Sequence, residues 1–236
     1  MIGFLLALLA VLVGGLLNLA CDRLPKKRIG KVLGWPSCAR CGSRLGARNY
    51  LALPGWLLAG NRCQNCQERL PLRRTLVELG CMILFAYLWW RHVEATQFLV
   101  LAVYGCILIM FFVIDVEHRL VPNHLLGAAA ICALAFSLLG VRIGLGSTLL
   151  GGLTGLVIFF GLALLRPGAM GGGDVKLAGL IGLMNGFPEV LQALVLGVLL
   201  GGITAGLLMA ARLRSGKSYI PYAPFLAMGA LISLLR

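Results

Sequence analysis

The chain is punctuated by long, predominantly apolar runs, at residues 2–19, 76–90, 98–114, 125–141, 147–165, 177–187, 190–211 and 222–235. These runs fix the solvent in which it can fold. They offer no polar face to water, and they lack the period of two that a lipid-facing barrel strand would show. A helical bundle in a bilayer remains, where Leu and Val meet lipid without penalty. Composition agrees: of 236 residues, 60% are hydrophobic and 12% charged, with a mean hydropathy of +0.94. That is too little polar surface to coat a soluble fold of this length. The expected architecture is an all-α polytopic membrane protein of about eight transmembrane helices, some short or tilted.

The placement of charge gives this bundle a direction. Of 21 Lys and Arg, twelve lie between the first two runs: Arg23, Lys26, Lys27, Arg28, Lys31, Arg40, Arg44, Arg48, Arg62, Arg69, Arg73 and Arg74. Only Asp22 and Glu68 oppose them. The positive-inside rule makes this segment cytoplasmic, and its charge also suits anionic lipid. No basic and aromatic pattern points to nucleic acid. The first run has no positive residue before it and a basic cluster after it, the order of a retained span with its N-terminus outside and not of a cleaved signal peptide. Threading from there leaves Arg91, Arg142 and Arg236 outside and Arg119, Arg166, Lys176, Arg212, Arg214 and Lys217 inside. Gly151 and Gly155, then Gly197, Gly201, Gly202 and Gly206, suit close helix packing.

The basic segment also holds two matched pairs, Cys38-Ala39-Arg40-Cys41 and Cys63-Gln64-Asn65-Cys66. Two CxxC turns at this separation give a zinc ion four thiolates and a closed shell, which makes the expected site structural. Disulfides or a redox CxxC are the other readings; a reducing cytoplasm disfavours the first, and the second leaves one pair unexplained. Cys21, Cys81, Cys106 and Cys132 read as small hydrophobes.

Only eight acidic residues occur, so each can be weighed. Asp22, Glu68, Glu94 and Glu189 fall in loops or connections, where water or a nearby Arg suffices, and Glu78 lies early in the second run, at a helix end or facing the loop. Asp115 instead closes the apolar stretch 107–114, ahead of the charge cluster Glu117, His118 and Arg119, and Asp174 opens another behind Gly171, Gly172 and Gly173. The thread puts both at cytoplasmic span ends, at similar depth. A carboxylate near hydrocarbon is costly, so each needs a partner or a task. Capping or a salt bridge with Arg119 or Lys176 would serve one of them. Two at one depth, one of them beside glycines that allow close backbone approach, suit a catalytic pair.

Two carboxylates in a poorly solvated site suit aspartic proteolysis: one activates a water while the other, protonated, polarises the scissile carbonyl. Ser137 and Ser147 have no partnered His, no HExxH is present, and His118 and His124 read as loop residues. A transporter or proton relay using the same acids is the alternative.

The segments around these residues resemble those of the type IV prepilin peptidases. Asp115 with Val121-Pro122-Asn123 resembles that family's first catalytic segment, and Gly171-Gly172-Gly173-Asp174-Val175-Lys176-Leu177 resembles its GxGDxKL segment. Gly14-Gly15-Leu16-Leu17-Asn18 through Arg23-Leu24-Pro25, the paired CxxC loop, Val77-Glu78-Leu79 and Ile220-Pro221-Tyr222-Ala223-Pro224-Phe225 match family positions in order. The resemblance implies a membrane aspartic endopeptidase with Asp115 and Asp174 as catalytic residues and Gly171 and Gly173 as active-site backbone. It implies removal of the basic leader of type IV prepilins or type II secretion pseudopilins at the cytoplasmic face of the bacterial inner membrane. Members with the CxxC loop also methylate the new N-terminus using S-adenosylmethionine; in that loop the chain has Leu51-Ala52, Gly55-Trp56, Gly60-Asn61 and Arg73-Arg74-Thr75 where the family shows other residues. The domains this implies are a first transmembrane helix (1–21), a basic zinc-binding cytoplasmic domain (22–74) and a transmembrane protease core (75–236).

Overall fold

A computed structural model describes residues 2–24, 35–38, 40–45, 51–60, 62–165, 170–211 and 222–236. Lys26, Lys27, Arg28, Lys31, Arg48, Arg166, Arg212, Arg214, Lys217, Ile220 and Pro221 lie outside these residues. Among the described residues every regular element is a helix: α1 (Ile2–Arg23), α2 (Ala52–Ala59), α3 (Leu72–Trp90), α4 (Ala95–His118), α5 (Asn123–Leu138), α6 (Leu145–Leu165), α7 (Gly172–Asn185), α8 (Glu189–Ala210) and α9 (Ala223–Leu235). Each of the eight apolar runs falls on one helix, and the short α2 was not foreseen. Four helices, α1, α4, α6 and α8, are long and apolar enough to cross a membrane. The expected count of about eight spans is therefore met by length and composition in four, with α5 and α9 as shorter apolar helices.

The chain divides into two units, Met1–Glu94 and Ala95–Arg236. In the first, α1 packs on α3 and α2 docks against α3. Gly14 permits the α1 contact: a Cβ there would stand 2.7 Å from the Glu78 Cα. In the second unit, α7 is the buried centre. Its Leu177, Ala178, Ile181 and Met184 are fully buried, as expected of a helix that is apolar all round. Gly151 and Gly155 of α6 bring that helix into backbone contact with α7, where added Cβ atoms would clash with the Gly182 and Ala178 carbonyl oxygens. Gly197 does the same between α8 and α9, against Leu226, and Gly201 faces Tyr222 and Phe225. Gly202 and Gly206 meet nothing within 4 Å, so the packing expected of them is not found among the described residues. Outward, α6 and α8 show Leu153, Val157, Phe160, Leu199, Ile203 and Leu207 as exposed apolar residues. That is the arrangement a bilayer solvates and water would not.

Candidate functional site

Asp115 and Asp174 are brought together within the second unit. Asp115 stands in the last turn of α4, where its backbone carbonyl accepts the Arg119 N–H at 2.8 Å and Arg119 ends the helix in the left-handed region (φ 53°). Helix α4 thus runs past the apolar stretch and carries the aspartate inside it. Asp174 is the third residue of α7, and one of its carboxylate oxygens accepts the Gly171 N–H at 3.2 Å, closing the first turn. The Ala223 N–H at the start of α9 also bonds to this carboxylate. Helix α9 packs against both α4 and α7.

The loop between α4 and α5 fastens this end of the unit. A Cβ on Gly173 would lie 3.1 Å from Val121 Cγ2, so the chain at 121 rests on the α7 N-terminus. Lys176 Nζ donates to Asn123 Oδ1 at 3.0 Å, so it is engaged away from the aspartates. None of the three glycines before Asp174 has a positive φ; a close approach is found at Gly173, while Gly172 has nothing within 4 Å. Both aspartates are buried, at 6% and 5% exposure, and the two carboxylates interact electrostatically, as do Asp115 and Arg119. Asp115 Oδ2 has no hydrogen-bond partner among the described residues. A helix-capping role accounts for one oxygen of Asp174 and leaves Asp115 unexplained. His118 and His124 are exposed.

In the first unit the four predicted thiols converge. All four sulfurs lie within 4.8 Å of one another, with Cys38 and Cys66 at 3.6 Å and Cys41 and Cys63 at 3.8 Å. A tetrahedral ion with metal–sulfur bonds of about 2.3 Å sets its sulfurs about 3.8 Å apart. The cluster therefore fits four-thiolate coordination, and the separations are far beyond the ~2.05 Å of a disulfide. Each pair rides on the same tight turn. Cys38 N–H bonds to Ser43 O and Gly42 N–H to Cys38 O; Cys63 N–H bonds to Glu68 O and Gln67 N–H to Cys63 O. Gly42 and Gln67 take matching left-handed conformations. Each turn is closed by a bridge, Ser37 with Arg44 and Arg62 with Arg69, and followed by a buried Leu45 or Leu70 that packs with the cysteines. A CxxCxxRL repeat underlies this pseudo-symmetry; it is legible in the sequence but escapes a search on cysteines alone. Arg40 of one turn pairs with Glu68 of the other. Backbone N–H groups of Cys66 and Asn65 hold the Cys63 thiol down at about 6. Although the Glu68 backbone favours its thiolate, Cys66 is pushed up to about 12 by burial and by sharing with the other sulfurs. Hydrogen bonding to Ser43 lowers the Cys41 thiol as well, so Cys41 and Cys63 favour the thiolate and Cys66 loses its proton as a cation binds.

A second polar cluster was only half visible in the sequence. Glu78 is fully buried, and its two oxygens accept the N–H groups of Ala52 and Leu53, each at 2.7 Å. It caps α2, whose own N-cap Leu51 offers no side chain for the task. Buried Asn18 donates to the Arg74 carbonyl at 2.8 Å, and Asp22 pairs with Arg73. Cys21, Cys81 and Cys106 are buried, as small hydrophobes would be, and form no disulfide.

Helices with lipid-suited surfaces, two buried carboxylates at adjoining helix ends and a separate four-thiol cluster define a polytopic membrane protein of the aspartic-protease kind. Family models agree: "Type IV leader peptidase family" matches residues 102–206, and "Bacterial Peptidase A24 N-terminal domain" matches residues 8–92. The chain belongs to the type IV leader peptidase family. Among curated relatives, "Prepilin leader peptidase/N-methyltransferase" of Pseudomonas putida is 28% identical over 98% of this chain and 89% of its own. Proteins of the same name from Aeromonas salmonicida and Vibrio cholerae are 26% and 27% identical, covering 98% and 79% of this chain and 89% and 78% of theirs. No solved structure matches. The transporter alternative finds no support in these relatives.

Proposed function

We propose that the protein is a prepilin leader peptidase and N-methyltransferase: a membrane aspartic endopeptidase that removes the leader of type IV prepilins or pseudopilins and then methylates the new N-terminus. One observation carries the peptidase reading. Asp115 and Asp174, far apart in sequence, are both buried at the ends of α4 and α7, near enough for their charges to interact, inside the segment matched by the type IV leader peptidase family. Two carboxylates at close quarters in a poorly solvated site hold one proton between them. The ionised one takes a proton from water as its oxygen attacks the scissile carbonyl carbon, and the other gives its proton to the carbonyl oxygen. The Gly171 and Ala223 N–H groups keep Asp174 oriented.

Zinc is the metal that four thiolates in this geometry favour, held by Cys38, Cys41, Cys63 and Cys66 with no open position, so it gives the loop its shape and leaves hydrolysis to the aspartates. S-adenosylmethionine is the methyl donor this reading requires, and none of the described residues is assigned to it. In this reading residues 22–74 form the cytoplasmic zinc-binding domain between a first span (1–21) and the protease core (75–236). The aspartates then lie at the cytoplasmic face of the bacterial inner membrane, supported by the basic charge of that loop. Co-expression with a candidate prepilin and mass measurement of the product tests both activities, since leader loss and an added methyl group give separate mass changes. An unchanged prepilin mass in the presence of folded protein would refute the reading.

A further inference from the structure

Helices α5 and α6 both pack on α7, and a groove of about 350 Å³ runs between the three. Its wall on α7 is made by Lys176, Gly179 and Leu183, spaced three and four residues apart and so on one face of that helix. The seam between α6 and α7 is closed at its floor. A Cβ on Gly152 would stand 2.5 Å from Leu183 Cδ2, and one on Gly179 would stand 2.6 Å from Leu156 Cγ. Across from that seam α5 contributes only Leu126 and the methyl group of Ala130. Leu149, Leu153 and Leu156 line the groove and are exposed, as side chains solvated by lipid are.

Size and charge select the occupant. From Lys176 to Leu183 α7 advances about 10 Å, so the groove averages about 35 Å² in cross-section. A helix is at least about 10 Å across and needs more than twice that section, whereas a single hydrocarbon chain enters with room to spare. Every lining residue is apolar except Lys176, whose side chain is exposed at the end where α7 begins. Lys176 Nζ donates to Asn123 Oδ1 and pairs with no carboxylate among the described residues, which leaves two of its three N–H groups for a ligand. Asp174 stands two residues earlier, a spacing that sends the two side chains to different sides of the helix. We propose that this groove binds an anionic phospholipid, with one acyl chain lying along Gly179 to Leu183 and the phosphate accepting from Lys176 Nζ. The inference rests on the membrane-embedded fold and is independent of the peptidase reading.

The test is photocrosslinking of the full chain in bilayers of equimolar phosphatidylglycerol and phosphatidylcholine with identical acyl chains. The photoreactive residue p-benzoylphenylalanine replaces Leu153 on the groove or, as a control, Leu199, which is exposed on α8. Adduct masses then report which lipid occupies each place. At 153 phosphatidylglycerol should exceed phosphatidylcholine about fivefold, the worth of one lysine beside an anionic headgroup, while at 199 the two should be equal. Lys176→Gln should bring the ratio at 153 to one, and Lys176→Arg should restore it. Equal labelling at 153 in the parent, or a preference that survives Lys176→Gln, overturns the proposal. Should the Gln variant fail to fold, the contrast between 153 and 199 in the parent decides, and the same ratio at both places overturns it. Adducts at 153 with a co-expressed prepilin in place of lipid would assign the groove to the substrate and overturn it as well.

Discussion

Gly14 on α1 stands so close to Glu78 on α3 that a Cβ added to the glycine would lie 2.7 Å from the Glu78 Cα. The obstacle is backbone and cannot swing aside. Gly14→Ala should therefore destabilise the first unit by about 1–3 kcal/mol, as overpacked sites do. Gly161, on α6 with nothing within 4 Å, is the control. Gly161→Ala should be neutral or slightly stabilising, since Ala is the better helix former. Thermal unfolding in detergent measures both, and a Gly14→Ala protein as stable as the parent would contradict the α1–α3 contact.

The carboxylate of Glu78 serves two backbone donors at once. Glu78→Ala leaves the Ala52 and Leu53 N–H groups without their acceptor, a loss of about 1–3 kcal/mol for buried donors. Amide hydrogen exchange at residues 52 and 53 should quicken in Glu78→Ala and less so in Glu78→Gln, which keeps one carbonyl oxygen. Metal content should stay unchanged, because no cysteine ligand touches this clasp. Unaltered exchange in Glu78→Ala would show that α2 is held by other means.

What was legible in the sequence was whatever repeats or breaks a pattern locally. Apolar runs located eight helices because length and hydropathy are properties of a single segment. Paired CxxC turns located the thiol cluster because ligand spacing is itself local. Asp115 and Asp174 stood out as charges set against hydrocarbon. The function of Glu78 did not stand out, since its partners are backbone N–H groups 25 and 26 residues away, which leave no mark on composition. Helix α2 escaped for a related reason: its eight residues include Pro54 and Gly55, and it depends on a cap supplied by another helix. The approach of the α9 N-terminus to Asp174 depends on how α9 packs, which no local signal encodes. Gly202 and Gly206 show the converse, a pattern suited to packing with nothing packed on it.

The purified protein should carry about one zinc per chain. A Cys-to-Ser change at 38, 41, 63 or 66 should lower that content and loosen the loop, because the two turns meet at the four thiols and the Cys38, Leu45, Cys63 and Leu70 cluster, with the exposed Arg40–Glu68 pair adding little. Acidification should release the metal, since binding requires deprotonated sulfur and protons compete for it as pH falls. Elemental analysis across a pH series, with thiol titration alongside, checks both. Protein free of metal with four fully reactive thiols would count against the site. Because zinc is assigned to shape, single-turnover cleavage by the Cys variants should suffer less than loop stability.

Asp115→Asn and Asp174→Asn should each reduce leader cleavage by roughly a thousandfold or more, the scale on which removing a catalytic group acts. Folding should survive in both. Asparagine at 174 keeps an oxygen to accept the Gly171 N–H, so the first turn of α7 stays closed. Asparagine at 115 removes charge from an oxygen that has no hydrogen-bond partner among the described residues. The informative contrast is Asp22→Asn, which breaks an ion pair with Arg73 at a half-exposed carboxylate, an interaction worth about 0–1 kcal/mol. That variant should cleave normally. Cleavage of a co-expressed prepilin, read by mass, separates the three, with unfolding midpoints recorded for each. An Asn at 115 or 174 that kept most activity would sink the catalytic pair. An inactive but folded Asp22→Asn would place a needed carboxylate in the first unit instead.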